Sequence, residues 1–466
     1  MSDILRVHSP WTGEVVSELA IDSPESIDRK VQAAAKAQKQ WMRTSLTDRR
    51  ALIEVFLEVA EQEKQDVARF ISAEMGKPVR EALGEMNTVF GRARTMLTLA
   101  EKGLADDVID VDDGIARKIV RDPLGVIVDV AAWNYPLLIA SNVIIPGLLA
   151  GNAVVLKHAS QTPSVGVWFE EAFRRAGAPE GLVTAVTVPG RKARVLLEHS
   201  LVDSVFFTGS VSAGRQVYRT VANRSHGFLD VGLELGGKDP AYVRADMDLD
   251  IAASNLVEGA FYNAGQSCCA VERIYVDRSC YAAFVDRYVK EASRWVVGDP
   301  SVNGTIMGPV ASAETLDVLD AQVADAVSKG AKLMLGGKRL EGPGWKYPAT
   351  VLIDCDHSMD VMREESFGPI IGLMAVDGDE EAVEQMNDTA FGLTASIWTA
   401  DHEEGSRLAR HVSAGTVYVN RCDYVDPSLP WTGFRDSGKG ISLSSLAYHH
   451  LTRARGIHVR GLDRLR

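Results

Sequence analysis

Two cysteines, Cys268 and Cys269, stand side by side in the stretch FYNAGQSCCAVER, residues 261 to 273, of a chain that has only five cysteines. A cysteine thiolate stabilised by local backbone amides attacks carbonyl carbon, and Gly265-Gln266 supplies a turn on which such a thiol can be presented. Upstream, LELGGKDP places Glu234 just before Leu235 and the pair Gly236-Gly237, where backbone can approach another element closely. A flexible carboxylate there can deprotonate a thiol or a water. In WNYP, residues 133 to 136, the Asn134 amide can donate a hydrogen bond to a carbonyl oxygen as negative charge develops on it. Taken singly these are weak signals: the cysteines also read as small core residues and the glutamate as a solvated side chain.

The elements that must position these residues follow from periodicity. Residues 23 to 41, 48 to 63, 64 to 75 and 79 to 100 carry apolar or small residues at helical spacing, which predicts a helical layer with Gly76-Lys77-Pro78 as a stop and restart. After Arg121-Asp122-Pro123 short β-branched runs begin, GVIVDVAAW (125 to 133), NAVVLKH (152 to 158), LVTAVTV (182 to 188) and DSVFFTG (203 to 209), with an apolar helix candidate over 136 to 149. This alternation predicts a parallel sheet covered on both faces, with ligands at the carboxyl ends of its strands. Lys157 ends one strand, where its ammonium can hydrogen-bond ribose hydroxyls. FTGSVSAG, residues 207 to 214, leaves another strand and opens a helix whose free N–H groups can face a pyrophosphate. With only Gly209 and Gly214 it is not the G-x-G-x-x-G fingerprint, and on spacing alone a plain structural turn is the simpler reading.

Composition sets the surroundings. The chain has 466 residues, 46% hydrophobic and 24% charged, enough for two or three domains. Its formal net charge of -13, without a basic cluster interleaved with aromatics, argues against nucleic acid as a partner. The cysteines are odd in number and never spaced C-x-x-C, so neither a disulfide framework nor a structural zinc site is expected, and no metal. The most apolar stretch, residues 139 to 149, is too short to span a bilayer, and the N-terminus has no basic segment followed by an apolar run. A cytoplasmic protein with no membrane partner is expected.

Taken in order, AAWNYPLL, GNAVVLKHASQTP, GAPEGLVTAVTVPG, FFTGSVSAG, LELGGKDP, FYNAGQSCC, EESFGPI, FGLTASIWTAD and PWTGFRDSGKG closely resemble the NAD(P)-dependent aldehyde dehydrogenase superfamily. With the opening SPWTGEVV the resemblance covers nearly the whole chain. It implies an α/β fold of that type: a Rossmann-type cofactor domain (residues 1–113 plus 124–235), an α/β catalytic domain (236–440) and a protruding oligomerisation hairpin (114–123 plus 441–466). It implies that Cys268 is the nucleophile and Cys269 is not, that Asn134 and the Cys268 N–H hold the oxyanion, and that Glu234 activates the water that hydrolyses the thioester. The implied reaction is irreversible oxidation of a small-molecule aldehyde to a carboxylic acid. A phosphorylating or CoA-acylating relative is disfavoured by Glu234, and an inactive structural homologue by the presence of Asn134, Glu234 and Cys268 together.

By the same resemblance Lys157 contacts the adenosine ribose, Ser210 at its helix start, next to Gly209, contacts the pyrophosphate, and Trp133 lines the neighbouring wall. Glu365 contacts the nicotinamide ribose, and Phe367 packs near the nicotinamide. One departure bears on the cofactor. Where NAD-preferring members commonly carry glutamate, this chain has Ser160 in KHAS, which removes the repulsion of a 2'-phosphate; Lys157 and a partly charged His158 would attract it. NADP use is therefore expected, with NAD use still open.

For the substrate, members that oxidise semialdehydes often place an arginine in the helix after the asparagine, whereas residues 134 to 142 contain no positive charge and Asn142 stands in its place. That favours a neutral aldehyde. The KHAS-like background pulls toward succinate semialdehyde, for which Arg421, Arg435 or Arg273 could supply the cation. Cys422 and Tyr424 are the expected contacts at the tunnel mouth. The segments GIARKIVRDP (114 to 123) and ARGIHVRG (454 to 461) resemble a hairpin that pairs between subunits, so a homodimer, or a dimer of dimers forming a homotetramer, is expected.

Overall fold

A computed structural model describes residues 3–112 and 115–461; residues 1, 2, 113, 114 and 462–466, which fall in the expected cofactor-domain and hairpin segments, lie outside the described residues. The helical layer consists of Pro24–Trp41, Leu46–Met75 and Val79–Leu104. Ser23 caps the first helix by accepting from Ser26 N, and Ser45 with Asp48 forms a capping box at the second. The second helix runs unbroken through residues 63 and 64, where periodicity suggests a boundary. The polar run there contains no glycine or proline, so it is a solvated face and not a stop. The stop comes at Gly76, which takes the left-handed conformation (φ 81), and Val79 restarts the helix after Pro78.

The first sheet has strand order Gly438–Lys439, Asp230–Glu234, Ser204–Thr208, Val126–Ala131, Ala153–His158, Val183–Ala185. Its strands are parallel except the short Gly438–Lys439, which runs antiparallel beside Glu234 and Leu233. The neighbouring strands Val126–Ala131 and Ala153–His158 are buried along their whole length, and the helix Pro136–Leu149 that connects them is buried at every position, which explains its largely apolar sequence.

The second sheet has seven strands, with Ile370–Val376, Val271–Asp277, Asp239–Val243 and Thr394–Trp398 at its centre. It is parallel but for the edge strand Lys332–Leu335. Each sheet carries its own hydrophobic core. A third, antiparallel sheet joins Thr452–Arg460, Ile115–Pro123 and Asp107–Asp112, so the hairpin region takes in a strand before residue 114 as well. Among the described residues no helix is long and apolar enough to cross a membrane.

Candidate active site

The segment before Cys268 is held in an unusual backbone conformation. Asn263, Ala264 and Gly265 are consecutive left-handed residues (φ 52, 56 and 70), and a Cβ on Gly265 would lie 2.3 Å from the Gly368 carbonyl oxygen. Polar contacts fix the turn. Gln266 Nε2 donates to the Asn263 carbonyl at 3.0 Å, and Ala311 N–H donates to Gln266 Oε1 at 2.7 Å. Asn263 Nδ2 donates both to the Gln266 carbonyl at 3.0 Å and to the Asn134 carbonyl at 3.1 Å. One buried amide thereby ties the Cys268 loop to the turn carrying Asn134 at the end of strand Val126–Ala131. Asn263 carries no chemistry that would single it out; its local signal is an asparagine before Ala-Gly, a type that tolerates the left-handed region.

The two cysteines are in different situations. Cys268 is half-buried and faces a cavity of about 600 Å³, and among the described residues its backbone N–H donates to no acceptor. Cys269 is buried, its Sγ donates to Asp423 Oδ1 at 3.2 Å, and Ser267 Oγ donates to the same oxygen at 2.9 Å. Hydrogen bonding to Cys268, burial and the Asp423 charge all push the Cys269 thiol well up, so it stays protonated. Asn134 is buried one residue before Tyr135, which lines the cavity, and its side-chain amide is unengaged among the described residues.

Glu234, at the end of strand Asp230–Glu234, lines the cavity with Cys268. Desolvation raises its carboxyl; the Ser442 hydroxyl, which donates to Oε1, the Arg92 charge and the Trp431 indole pull the other way. Ser442 comes from the segment that follows the return strand Gly438–Lys439, so the proposed base is braced by residues far away in sequence.

On the opposite flank, Trp133 and Phe367 meet edge to face at 5.6 Å between ring centroids. Phe367 has a left-handed backbone (φ 48), fixed by Glu272, which accepts from Ser366 N and Phe367 N. Glu272 is in turn paired with buried Lys238 at 2.7 Å. Glu365 Oε1 accepts from Gly237 N at 3.0 Å, and a Cβ on Gly236 would lie 2.4 Å from it, so the glycine pair is where backbone meets this carboxylate. Burial, with the nearby Glu272 charge, pushes Glu365 up to about 8.

Lys157 is buried at the end of strand Ala153–His158, and burial lowers its ammonium to about 8. Among the described residues it has neither an ion pair nor a hydrogen bond. Ser160 is half-buried in the turn that follows. Gly209 and Ser210 leave strand Ser204–Thr208, and Ser210 caps helix Val211–Ala222 by accepting from Ala213 N at 3.3 Å. A buried unengaged cation and a helix start at the ends of the two strands that flank Val126–Ala131 fit the ribose and phosphates of a dinucleotide. His158 is not the partly charged phosphate partner that its place beside Lys157 suggests. Its Nε2 lies 3.0 Å from the Pro136 carbonyl, its Nδ1 3.1 Å from Thr162 Oγ1, and burial lowers it to about 4, so it is a neutral brace and not a phosphate partner.

The family model described as the aldehyde dehydrogenase family matches residues 2–457. The chain belongs to this family. It is 34% identical over 439 residues to an aldehyde dehydrogenase of Paenarthrobacter nicotinovorans, covering 94% of this chain and 95% of that one. It is 35% identical over 457 residues to a succinate-semialdehyde dehydrogenase (NADP(+)) of Mycolicibacterium paratuberculosis, covering 97% and 96%. The crystal structure of an NAD-dependent aldehyde dehydrogenase from Sinorhizobium meliloti superposes with a TM-score of 0.95 at 32% identity, over 98% of this chain and 91% of that one. The chain is accordingly an NAD(P)-dependent aldehyde dehydrogenase with the α/β fold of the superfamily.

Proposed function

We propose that Cys268 is the nucleophile, that Asn134 and the Cys268 N–H receive the oxyanion, and that Glu234 activates the deacylating water. The observation that carries this reading is that Cys268 and Glu234 open on one cavity while Asn263 ties the Asn134 turn to the Cys268 loop. The Cys268 thiolate forms a C–S bond to the aldehyde carbon, and the carbonyl π pair moves to oxygen, where the two unengaged N–H donors meet it. The bound dinucleotide supplies a hydride acceptor. As the hydride leaves, the oxygen pair re-forms the carbonyl and Cys268 holds a thioester, two electrons more oxidised. Glu234 then takes a proton from water, whose oxygen attacks the thioester. The C–S bond breaks, the acid departs and the thiolate is restored. Loss of the thioester to water makes the overall oxidation irreversible.

For the cofactor, Lys157 would meet the adenosine ribose, Gly209 and Ser210 the pyrophosphate, Trp133 the adjoining wall, and Glu365 and Phe367 the nicotinamide end. Ser160 leaves a 2'-phosphate unopposed, which supports NADP use. A second, narrower reading takes succinate semialdehyde as substrate. Seven relatives at 34 to 35% identity bear the name succinate-semialdehyde dehydrogenase (NADP(+)), and they support it. Among the described residues the strand Thr452–Arg460 is the edge strand of its sheet and is mostly exposed, which suits pairing with a second copy in a homodimer or a dimer of dimers. The five free cysteines suit the reducing cytoplasm.

Turnover of an aldehyde by Cys268→Ala and Cys269→Ala, followed by cofactor reduction, tests the assignment. Cys268→Ala is expected to lose at least about 1000-fold, because the other two cysteines on the cavity wall, Cys269 and Cys422, are held as thiols by burial, while Cys269→Ala keeps most of its activity. Full turnover by Cys268→Ala would overturn the assignment.

A further inference from the structure

The cavity wall contains a cation that stands outside the mechanism above. Arg92 projects from helix Val79–Leu104 and lines the cavity together with Cys268 and Glu234, yet it is only 7% exposed. Its Nη1 donates to Asn142 Oδ1 at 2.9 Å, a neutral partner. Its Nε is buried with no partner, and among the described residues no carboxylate lies within ion-pairing distance of the guanidinium. A desolvated guanidinium with one neutral acceptor is incompletely satisfied, and such a group accounts for itself when a ligand completes it.

The other cations near the cavity are committed elsewhere. Lys77 is paired with buried Glu85 and sits 4.1 Å over the Tyr135 ring. Arg421 lines the cavity but is exposed and stacked 3.4 Å over Tyr424. Arg273 is spent inside the second sheet on the Lys238, Met386 and Gln385 carbonyls and on Tyr275 OH, and Arg435 is spent on the Asn387 and Thr389 carbonyls. Of the acidic residues on the wall, Glu234 attracts Arg92 across the cavity without pairing to it, Glu85 is paired with Lys77, Asp423 accepts from Ser267 and Cys269, and among the described residues neither these nor Glu258 lies within ion-pairing distance of the guanidinium.

We propose that Arg92, oriented by Asn142, binds a carboxylate at the far end of the aldehyde substrate, so that the cavity selects short ω-carboxylated aldehydes over neutral ones. The absence of a positive charge in residues 134 to 142 is thus made good from another helix, with Asn142 turned into the residue that orients the arginine. This rests on the reading that Cys268 attacks an aldehyde in the same cavity. A planar guanidinium offers a carboxylate two parallel charge-assisted hydrogen bonds, whereas a methyl terminus would leave both donors unanswered in a desolvated site.

The test compares succinate semialdehyde with butanal, of equal chain length, in the wild type, Arg92→Gln and Arg92→Lys at fixed ionic strength. The wild type is expected to prefer the carboxylated aldehyde in kcat/KM, and Arg92→Gln to cut that preference by about 10- to 100-fold, chiefly through KM, with partial rescue by Arg92→Lys. Because Arg92 also faces Glu234, the ratio of the two substrates, not the absolute rate, is the readout. Equal losses on both aldehydes, or a wild type that prefers butanal, would overturn the anchor and leave aldehyde oxidation standing. A wild type that oxidises neither aldehyde removes both. Should Arg92→Gln fail to fold, inhibition of wild-type butanal oxidation decides. Butyrate is expected to compete at least about tenfold more tightly than the neutral isostere butyramide, and equal inhibition by the two overturns the proposal.

Discussion

In the loop before Cys268 almost every polar group is tied to another part of the chain, whereas at the strand end carrying Lys157 and Ser160 the ammonium and the hydroxyl are left open. The first region spends Asn263, Gln266, Ser267 and Asp423 on holding one sulfur and one asparagine turn in place. The second keeps a buried ammonium without a partner and a half-buried hydroxyl. The difference separates two tasks. Positioning reacting atoms needs a backbone that cannot relax, even at the cost of left-handed residues, while binding a cofactor needs donors that are not already satisfied. Substitutions in the two regions should therefore fail differently, in rate and stability at the first, in affinity and selectivity at the second.

Among substitutions outside the reacting groups themselves, the largest effect should come from removing the brace. Asn263→Ala leaves the Asn134 and Gln266 carbonyls without their donor, at a cost of roughly 1 to 3 kcal/mol per unsatisfied buried group. Thermal unfolding should register this loss, and kcat/KM should fall by about 100-fold as the oxyanion donors drift. Cofactor affinity, read by fluorescence titration, should be nearly unchanged. An equal fall in cofactor affinity would show that the two regions are one mechanical unit.

Ser160→Glu is the converse experiment. It should lower kcat/KM for NADP by about tenfold to a hundredfold relative to NAD, since the new carboxylate opposes a 2'-phosphate but accepts hydrogen bonds from a free ribose. Stability and the rate with saturating NAD should hold. Equal changes with both cofactors would place residue 160 away from the ribose.

The two regions also differed in how far they could be read from sequence. Lys157, Gly209 and Ser210 lie where a β-branched run gives way to a turn and a helix, a pattern contained in a few consecutive residues. Cys268, Glu234 and Asn134 became legible as a set only through their resemblance to a family. The residues that support them were silent: Arg92, Ser442 and Asp423 arrive from elements distant in the chain, and topology alone brings them to the cavity. His158 misled because a histidine beside a lysine at a strand end suggests charge, whereas the folded chain closes both its nitrogens against Pro136 and Thr162.

The smallest expected effect is a shift in pH dependence. In the proposed mechanism deacylation requires ionised Glu234, whose carboxyl is raised by burial, so turnover should fall as pH drops through a value above the ordinary carboxylate range. The Ser442 hydroxyl favours the ionised form, and Ser442→Ala should therefore raise that pKa further. The acid limb of the kcat profile should move to higher pH. A limb that stays in place, or moves to lower pH, would mean that Glu234 does not limit turnover there.

The division of labour between Cys268 and Glu234 is tested most directly by trapping the acyl enzyme. Glu234→Gln is expected to give a rapid burst of reduced cofactor, close to one per active site, followed by turnover slowed about 10²- to 10⁴-fold, because addition and hydride transfer precede the step the carboxylate serves. Quenched after the burst and digested, the protein should carry the acyl mass on the peptide spanning residues 261 to 273, with fragment ions placing it on Cys268. An acyl group on Cys269, or hydrolysis at the parental rate without a trapped thioester, would contradict the assignment.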